Sequence, residues 1–463
     1  MSFQLREYQQ DLILKARNEI RAKERSILMV APTGAGKTAL ASHMLGTAAS
    51  RGNRCWFMVH RRELITQSSR TFDKVGIAHG IVSAGFTPDR RAGVQIASVQ
   101  TLSRRMDSIP PPDMIVWDEC HHIASASWAA IFSMFPDVIH IGLTATPCRL
   151  DGRGLGDWFN VMVEGPTTKW LIENGFLAPY KMFAPTIPDM TGVHSRAGDF
   201  IGKEAAHAMD RPSITGDAIQ HYQRLCDGAR AIVFATNIEH SKHVVAQFNA
   251  SGYPAAHLDG KTDRGVRDRT LRDFEAGRIK IVSNVDLFGE GFDVPAIEAV
   301  ILLRPTQSTG LYLQMVGRGL RTADGKKHAI ILDHAGNVFR HGLPDEVREW
   351  NLDAKPKTKK EREAAPPVQM CEGCFYSGEP FVTCPVCGQE KEKQSRSIQQ
   401  VEGSLVELDK EKLANMRKKE QREAKSLDDL IELGRSRGYK FPEAWAKKIY
   451  GFRGNNRRAA AVS

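Results

Sequence analysis

A glycine-rich turn between an apolar stretch and a helical pattern limits the possible folds of this chain most strongly. The stretch Ser26 to Ala31 runs into Pro32-Thr-Gly-Ala-Gly-Lys-Thr38, and a helical pattern follows. Glycines let backbone N–H groups wrap phosphates, Lys37 supplies positive charge to the phosphate oxygens, and the Thr38 hydroxyl can coordinate Mg²⁺. The sequence therefore predicts a phosphate-binding loop, although Ala31 replaces its usual first glycine. A chance turn before a helix is the alternative.

A pair of acidic residues follows another apolar stretch. Met114-Ile-Val-Trp117 leads directly into Asp118 and Glu119. At such a strand end one carboxylate can hold Mg²⁺, while its neighbour can orient and deprotonate an attacking water. We therefore expect this pair to act together with the glycine-rich turn on a bound nucleotide. The alternative is an ordinary acidic turn at the end of a strand.

Short β-rich apolar segments alternate with helical patterns, which predicts parallel sheets with crossover helices. The first series of strands is expected at Ser26 to Ala31, Arg54 to Val59, Val94 to Ser98, Met114 to Glu119 and His140 to Ala145. The second series is expected at Arg230 to Ala235, Ile279 to Val285, Ala299 to Arg304 and His328 to Asp333. The predicted fold class is therefore α/β, with two parallel-sheet lobes in tandem.

Changes in composition predict the domain boundaries within the 463 residues. The predicted regions are a first lobe at 1–183, a connection at 184–212, a second lobe at 213–350, a polar linker at 351–368, a cysteine module at 369–392 and a basic, partly helical tail at 393–463. The linker has too little apolar content to fold by itself. The charged stretch Leu405 to Leu433 carries scattered apolar residues, a pattern that could form a solvated helix.

Positive charge is concentrated near the C-terminus. The net charge is +10, and the residues from Lys355 onward carry 23 Lys and Arg against 16 Asp and Glu. Such an excess favours a polyanionic partner or a membrane surface. The sequence has no apolar run near the ~20 residues that cross a bilayer, and its N-terminus lacks the pattern of a secretion signal. We therefore expect a cytoplasmic protein without a membrane partner.

Four of the eight cysteines form two Cys-x-x-Cys pairs near the C-terminus: Cys371, Cys374, Cys384 and Cys387. Without a secretion signal, this pattern favours a metal over disulfides. Two turns with two thiolates each can close a tetrahedral site that suits Zn²⁺. Reduced free thiols and an iron–sulfur cluster are the alternatives. Closed coordination leaves no position for a substrate water, so the predicted zinc is structural and the module would dock nucleic acid or a partner.

The two nucleotide motifs belong to a longer series. Asp118-Glu-Cys-His121 resembles motif II of superfamily 2 helicases, and further segments between residue 3 and about residue 335 resemble that family's other motifs in order. These segments are Leu5 to Gln9 (the adenine-reading motif), Ala31 to Thr38 (motif I), His60 to Leu64 (Ia), Ser98 to Thr101 (Ib), Thr144 to Pro147 (III), Ile232 to Ala235 (IV), Asn284 to Pro295 (V) and Gln314 to Arg321 (VI). This superfamily often begins motif I with alanine, as here.

Within the superfamily, three features most resemble RadD-like bacterial and prophage DNA helicases. They are the D-E-C-H box, the segment Gly289-Glu-Gly-Phe-Asp-Val-Pro295 and the C-terminal four-cysteine module. The resemblance implies two RecA-like lobes with ATP in the cleft between them, followed by a small zinc ribbon and a helical, basic tail. ATP hydrolysis would then drive movement along DNA or its remodelling.

The resemblance also implies roles for individual residues. The implied catalytic residues are Lys37, Asp118, Glu119, Gln314, Arg318 and Arg321. The implied nucleotide-binding residues are Arg6, Gln9, Thr33, Gly34, Ala35, Gly36, Lys37, Thr38, Gly291 and Asp293, with Mg²⁺ on Thr38 and Asp118. The candidates for nucleic-acid contact are Arg62, Thr101 and Asn284. Arg318 and Arg321 are one helical turn apart and could reach the γ-phosphate across the cleft, with an ordinary basic helix face as the alternative.

The leading prediction is an ATP- and Mg²⁺-dependent DNA helicase or translocase with a structural zinc. Its expected partners are single-stranded or branched DNA and a replication or repair protein. An RNA helicase is one alternative, because the core motifs read a phosphate backbone that both polymers share. The other alternative is an adaptor that binds nucleic acid under the control of ATP and separates no strands.

Overall fold

A computed structural model of the chain describes most residues of the two lobes and of the cysteine module. The described residues are 4–60, 62–87, 89–106, 109–149, 152–184, 190, 192–196, 198–209, 212–287, 297–353, 368–390, 420–421, 423–424, 426–436, 442–447 and 449–450. Gly291 and Asp293 lie outside these ranges, as do the predicted linker from residue 354 to residue 367 and the part of the Leu405 to Leu433 stretch before residue 420.

The first sheet contains seven parallel strands. They are β1 (Ser26–Val30), β2 (Cys55–Val59), β3 (His79–Val82), β4 (Val94–Ser98), β5 (Met114–Asp118), β6 (Ile139–Thr144) and β7 (Val161–Glu164). Their order across the sheet is β3-β4-β2-β5-β6-β1-β7. The helices of this part are α1 (Glu7–Arg21), α2 (Lys37–Ala49), α3 (Arg62–Lys74), α4 (Val99–Arg105), α5 (Ala126–Met134) and α6 (Thr168–Glu173). β1, which leads into the glycine-rich turn, thus lies one strand away from β5, which ends at Asp118.

The second sheet contains six parallel strands in the order β12-β13-β11-β14-β15-β8. The strands from β8 onward are β8 (Tyr180–Phe183), the hairpin β9 (Ser195–Arg196) and β10 (Asp199–Phe200), β11 (Ala231–Phe234), β12 (Ala255–Leu258), β13 (Ile281–Asn284), β14 (Ala299–Leu302) and β15 (Ala329–Asp333). The helices are α7 (Gly202–Met209), α8 (Pro212–Cys226), α9 (Ile238–Ala250), α10 (Arg264–Glu275), α11 (Thr309–Gly319) and α12 (Asn337–His341). The prediction of an α/β fold with two parallel-sheet lobes is confirmed.

Both faces of the sheets are buried. In β1, Ile27 and Met29 pack into one apolar cluster, and Leu28 and Val30 pack into another. A strand that is buried on both faces is apolar along its whole length, which is typical of parallel sheets with helices on each side. The cluster of Ile27 also contains residues of the second sheet such as Val300. The two lobes therefore share one apolar core.

The structure changes the predicted boundary between the lobes. β8 pairs with β15, with Tyr180 opposite Ala329, so this strand belongs to the second sheet. The predicted first lobe at 1–183 therefore includes one strand of the second sheet. The predicted connection at 184–212 contains, within its described residues, the β9–β10 hairpin and α7. Its mixture of polar and apolar residues gave no clear period because these elements are only two to eight residues long.

The C-terminal elements are short. The cysteine module holds a small antiparallel pair, β16 (Gln369–Met370) and β17 (Ser377–Gly378). The described residues of the tail belong to a separate unit and include the helix α13 (Leu427–Ser436). Leu430 of α13 is fully buried. Across the described ranges, every helix is too short or too polar to span a bilayer.

Candidate active site

The glycine-rich turn connects β1 to α2 through two glycines in left-handed conformations. Gly34 has φ +90° and Gly36 has φ +84°, values that cost an L-residue steric strain. Gly36 is the N-cap of α2, and Lys37 is the first helical residue. A Cβ at Gly36 would lie 2.5 Å from Nε2 of Gln9, so the close packing also requires glycine. The turn therefore exposes backbone N–H groups at the positive end of a helix, an arrangement that binds phosphate.

Side chains of α1 hold the glycine-rich turn through hydrogen bonds. Gln9 is buried, and its Nε2 donates a hydrogen bond to the carbonyl of Ala35 at 3.0 Å. The hydroxyl of Tyr8 donates to the same carbonyl at 2.9 Å. The backbone N–H of Arg6 donates to Oε1 of Gln9 at 3.0 Å. Two side chains of α1 thus hold the middle of the predicted phosphate-binding loop.

An aromatic group beside α1 was missed by sequence reasoning. The Tyr8 ring lies 5.0 Å from Phe176, and Trp170 stacks on Phe176 at 5.7 Å. The guanidinium of Arg6 lies 4.8 Å from the centre of the Phe176 ring. Trp170 and Phe176 come from the segment after β7, and no spacing in the sequence links them to α1. Their flat surfaces and the Arg6 guanidinium are suited to contact an aromatic base next to the loop.

Asp118 and Glu119 lie at the carboxyl end of β5 and are both buried. Burial, followed by the negative charge of Glu119, raises the pKa of Asp118 to about 7, and the charge of Lys37 opposes this only in part. Nζ of Lys37 lies 3.7 Å from Oε1 of Glu119. Among the described residues, Oε2 of Glu119 accepts no hydrogen bond. A divalent cation would favour the ionised form of Asp118, so this carboxylate fits Mg²⁺.

The backbone conformation at Glu119 sets the direction of its carboxylate. Glu119 has φ +48°, which is uncommon outside glycine, and it precedes a 3₁₀ turn at Cys120–His122. Nδ1 of His121 lies 3.5 Å from Oε2 of Glu119 and 3.4 Å from Oγ1 of Thr144. Oγ1 of Thr144 in turn donates to the carbonyl of Thr146 at 2.8 Å. The Glu119 carboxylate is therefore linked through His121 to the end of β6, where motif III lies.

A row of imidazole rings, tilted relative to one another, extends from the same turn. The rings of His121 and His122 lie 4.3 Å apart, and those of His122 and His60 lie 4.6 Å apart. Nε2 of Gln100 lies 3.4 Å from the carbonyl oxygen of His60. Thr101 follows Gln100 in α4 and is half-buried. Contacts thus run from the carboxylates to the edge of the sheet where motifs Ia and Ib lie.

Two glycines allow α11 of the second lobe to approach this site closely. A Cβ at Gly317 would lie 2.6 Å from Cβ of Thr33 in the glycine-rich turn. A Cβ at Gly310 would lie 2.8 Å from Oγ1 of Thr146. At both positions a larger residue would push the helix away from the first lobe. The first lobe's loop and motif III therefore lie in direct contact with α11.

The polar residues of motif VI lie along α11 and just after it. Gln314 and Arg318 are each 3% exposed. Arg321 follows the helix, and its Cγ lies 3.8 Å from the position that a Cβ at Gly34 would occupy. The structure therefore places Arg321 beside the glycine-rich turn, whereas Gln314 and Arg318 are buried in α11.

The candidates for nucleic-acid contact have different environments. Asn284 is fully buried at the end of β13, and its Nδ2 donates to the carbonyl of Val233 at 2.8 Å. The expectation that Asn284 contacts nucleic acid does not fit this structure, because the amide is used inside the sheet. Arg62 is the first residue of α3, and its side chain lies outside the described part.

The four cysteines of the C-terminal module converge on one point. Their sulfurs all lie within 4.8 Å of one another, with Cys371 to Cys387 and Cys374 to Cys384 both at 3.6 Å. A tetrahedron with Zn–S bonds of about 2.3 Å has S–S edges of roughly 3.8 Å. Burial alone would raise the pKa of Cys384, but hydrogen bonds from backbone N–H groups, those of Cys387 and Val386, lower it to about 7. The set fits a zinc ion held by thiolates.

The cysteine module packs on the edge of the second sheet. The backbone N–H of Ala184 donates to the carbonyl of Phe375 at 3.1 Å, and Phe183 forms a β-bridge with Tyr376. The Arg224 guanidinium of α8 lies 5.7 Å from the centre of the Phe375 ring. The module therefore covers β8, which is the outer strand of that sheet.

Comparison with known proteins agrees with this architecture. Residues 2–149 match the family described as type III restriction enzyme, res subunit, and residues 217–323 match the helicase conserved C-terminal domain. A 51.5 kDa protein of Lactococcus phage (isolate 7-9) is 34% identical over 393 residues, which cover 83% of each chain. The DNA 3'-5' translocase XPB2 of Sulfurisphaera tokodaii is 21% identical, over 71% of this chain and 81% of its own length.

A solved structure and a longer relative extend the comparison. The ATP-dependent Type ISP restriction-modification enzyme LlaBIII bound to DNA shares the fold with a TM-score of 0.54 at 19% identity, over 71% of this chain and 28% of that one. The type I restriction enzyme EcoAI endonuclease subunit of Escherichia coli is 27% identical over 76% of this chain, which spans only 49% of that subunit's length. With two family matches in tandem, the motif series in order and a glycine-rich turn that lies beside the second of two parallel-sheet lobes, the chain belongs to the superfamily 2 helicases, which are ATP-hydrolysing enzymes.

Proposed function

We propose that the protein is a DNA translocase or helicase that hydrolyses ATP with Mg²⁺ between its two lobes. The observation that carries this proposal is the contact of Gly317 in α11 with Thr33 in the glycine-rich turn, which brings Arg321 beside Gly34. A nucleotide held by the turn would be enclosed by groups from both lobes. Its hydrolysis would therefore change how the lobes fit together.

The first lobe binds the nucleotide in this proposal. The phosphates lie on the N–H groups of the turn from Thr33 to Thr38, with Ala35 as the point at which α1 supports it. Lys37 moves from Glu119 to the β- and γ-phosphates. Gln9 and Arg6 lie on the side where the adenine would stack, next to Phe176.

The chemistry is the attack of water on the γ-phosphorus. Thr38 and Asp118 would hold Mg²⁺, which neutralises charge on the β- and γ-phosphate oxygens when it is bound. Glu119 orients the water and accepts its proton as the new P–O bond forms and the bond from the γ-phosphorus to the bridging oxygen breaks, which releases ADP and phosphate. Arg321, supported by Arg318 and Gln314, stabilises the charge of the transition state from the second lobe. Gly291 and Asp293, outside the described residues, are proposed to connect α11 with the end of β13.

Two lines of support favour DNA as the polymer. Relatives that share the architecture are named for DNA translocation or for restriction of DNA. The C-terminal region carries the basic excess, which suits a phosphate backbone. We propose that Thr101 and Arg62 contact the backbone of the bound strand, and that the zinc ribbon at 369–392 and the tail contribute further contacts. A replication or repair protein is the proposed protein partner.

The test is a panel of nucleic acids with the full-length protein. ATP turnover is measured with single-stranded DNA, duplex DNA, branched DNA and RNA, and strand displacement is measured on the same substrates. We expect DNA to stimulate turnover and RNA to have little effect. Stimulation by RNA alone would establish an RNA helicase, and stimulation without movement or displacement would establish an adaptor.

A further inference from the structure

Lys326 lies in the turn after α11, and its ammonium group contacts three backbone carbonyls. Nζ donates hydrogen bonds to Ile297 at 2.7 Å and to Arg321 at 2.8 Å, and a third, shorter one to Gly319. A lysine ammonium has three N–H donors, so all of them are used. A buried charge is tolerated only with such compensation. The three hydrogen bonds therefore fix the ammonium group of Lys326 and, with it, the three backbone carbonyls.

The three carbonyls belong to parts of the chain that must keep a fixed geometry. Gly319 is the last residue of α11, and the final carbonyls of a helix lack partners within the helix. A cation at that end also matches the negative end of the helix dipole. Ile297 is the first described residue after 288–296 and leads into β14. Lys326 thus ties the end of α11 to the start of β14.

The third carbonyl belongs to Arg321 itself. Lys326 follows it by five residues, and the backbone N–H of Lys326 donates to Ala323 at 3.1 Å, which closes the intervening turn. On the other side of Arg321, the carbonyl of Leu320 accepts a hydrogen bond from the backbone N–H of Ala178 at 2.7 Å. The backbone that carries the Arg321 side chain is therefore fixed at two successive carbonyls.

We propose that Lys326 is a positioning residue for ATP hydrolysis, because its ammonium fixes the backbone from which Arg321 reaches the γ-phosphate. The inference rests on the proposed function of Arg321 and adds a residue that touches neither nucleotide nor Mg²⁺. Misplacement of an arginine by about 1 Å can cost on the order of 10²-fold in rate. Loss of the ammonium should therefore affect turnover much more than ATP affinity.

The charge state of Lys326 provides an independent readout. Burial is the main cause that lowers the pKa of Lys326 to about 8; the charge of Glu298 opposes this shift, and the charges of Arg230 and Arg321 contribute to it. A neutral amine has two N–H donors, too few for three carbonyls. The protonated form is the positioning form, so turnover should fall as the pH rises through about 8.

The experiment measures ATP turnover of the full-length chain over a range of pH. Lys326→Met removes the ammonium and keeps most of the side-chain volume. It should lower kcat about 10- to 100-fold and leave KM for ATP within roughly threefold. Lys327→Met is the matched control, since this neighbouring lysine is exposed, and it should behave like the unaltered protein. Lys326→Arg should retain most turnover and lose the decline above pH 8, because arginine stays charged.

A double-mutant cycle with Arg321→Ala tests whether Lys326 acts through that residue. Lys326→Met should cost less than about twofold when Arg321 is already absent. An equally large loss in that background would overturn the inference, as would an unchanged alkaline decline in Lys326→Arg. If Lys326→Met does not fold, the inference is tested by comparing the pH dependence of turnover in the unaltered protein and in Lys326→Arg. Normal turnover of Arg321→Ala alone would instead overturn the proposed role of the arginine, and the inference with it.

Discussion

At the scale of single residues, the ammonium of Lys37 occupies the centre of the candidate site. Its Nζ lies 3.7 Å from Oε1 of Glu119 and donates a hydrogen bond to the carbonyl of Ala31 at 3.4 Å. Both contacts lie where the β- and γ-phosphates are expected to bind. ATP would therefore draw Lys37 away from Glu119, and the carboxylate would become available to a water molecule.

The two residues should fail in different ways when they are replaced. Glu119→Gln keeps the shape of the side chain and removes the base, so we expect ATP to bind and kcat to fall at least ~10²-fold. Lys37→Ala should lose productive ATP binding, because no cation then faces the phosphates. Measurements of ATP affinity and kcat separate the two effects. Glu173→Gln, on the exposed side of α6, is the control, and near-normal turnover of Glu119→Gln would refute the assignment.

Some of the contacts in the candidate site could be predicted from the sequence, and others could not. Lys37 and Asp118 could be brought together because parallel strands present their carboxyl ends at the same edge of a sheet. The contact of Phe176 with Arg6 could not be foreseen, since it depends on how the segment after β7 folds back on α1. The burial of Asn284 also escaped prediction, because the carbonyl that its amide contacts belongs to a neighbouring strand.

At the scale of elements, the approach of α11 to the glycine-rich turn depends on the absence of a side chain. Gly317→Ala would place a methyl group 2.6 Å from Cβ of Thr33, and such overpacking costs about 1–3 kcal/mol. We expect ATP turnover to fall about tenfold, because the lobes would fit together less well. Gly260→Ala is the matched control, since nothing lies within 4 Å of its Cβ position. Equal turnover of the two variants would show that this contact is not needed.

The cysteine module should depend on zinc, and β8 should depend on the module. We expect about one zinc per chain, and none in a variant that carries both Cys374→Ser and Cys387→Ser. Loss of the metal would release Phe375 and Tyr376 from β8, so thermal unfolding should shift down by on the order of 5 °C. Cys226→Ser, in α8, should keep the metal. If the unaltered protein bound no zinc and the double variant unfolded at the same temperature, the zinc site would be ruled out.

Whether a strand could be predicted from the sequence depended on its position in the sheet. β4 was predicted with its observed limits, because its buried residues include the apolar Val94, Ile96 and Ala97 in a short β-rich segment. β8 was missed because Tyr180–Phe183 is short and contains a lysine, and its position is set by pairing with β15. β12 was missed for a similar reason, since Ala255–Leu258 is only half-buried over most of its length. Strands at the edge of a sheet carry less of the apolar signal than central strands.

At the scale of the whole molecule, ATP can drive movement only if it favours one arrangement of the lobes over another. The two lobes share an apolar core, and their polar contact runs through the glycine-rich turn and α11. A nucleotide at this position would contact both lobes at once. For ATP to drive movement in this way, the second lobe must contribute directly to hydrolysis, with Arg321 as the contributing residue.

ATP binding and turnover of Arg321→Ala, measured on the full-length protein, test this requirement most directly. An arginine that acts on the transition state leaves ATP affinity within roughly an order of magnitude and costs about 10³-fold or more in kcat. We expect that result. Loss of ATP binding with normal turnover per occupied site would contradict it, because Arg321 would then only bind nucleotide and the second lobe would not take part in the chemistry.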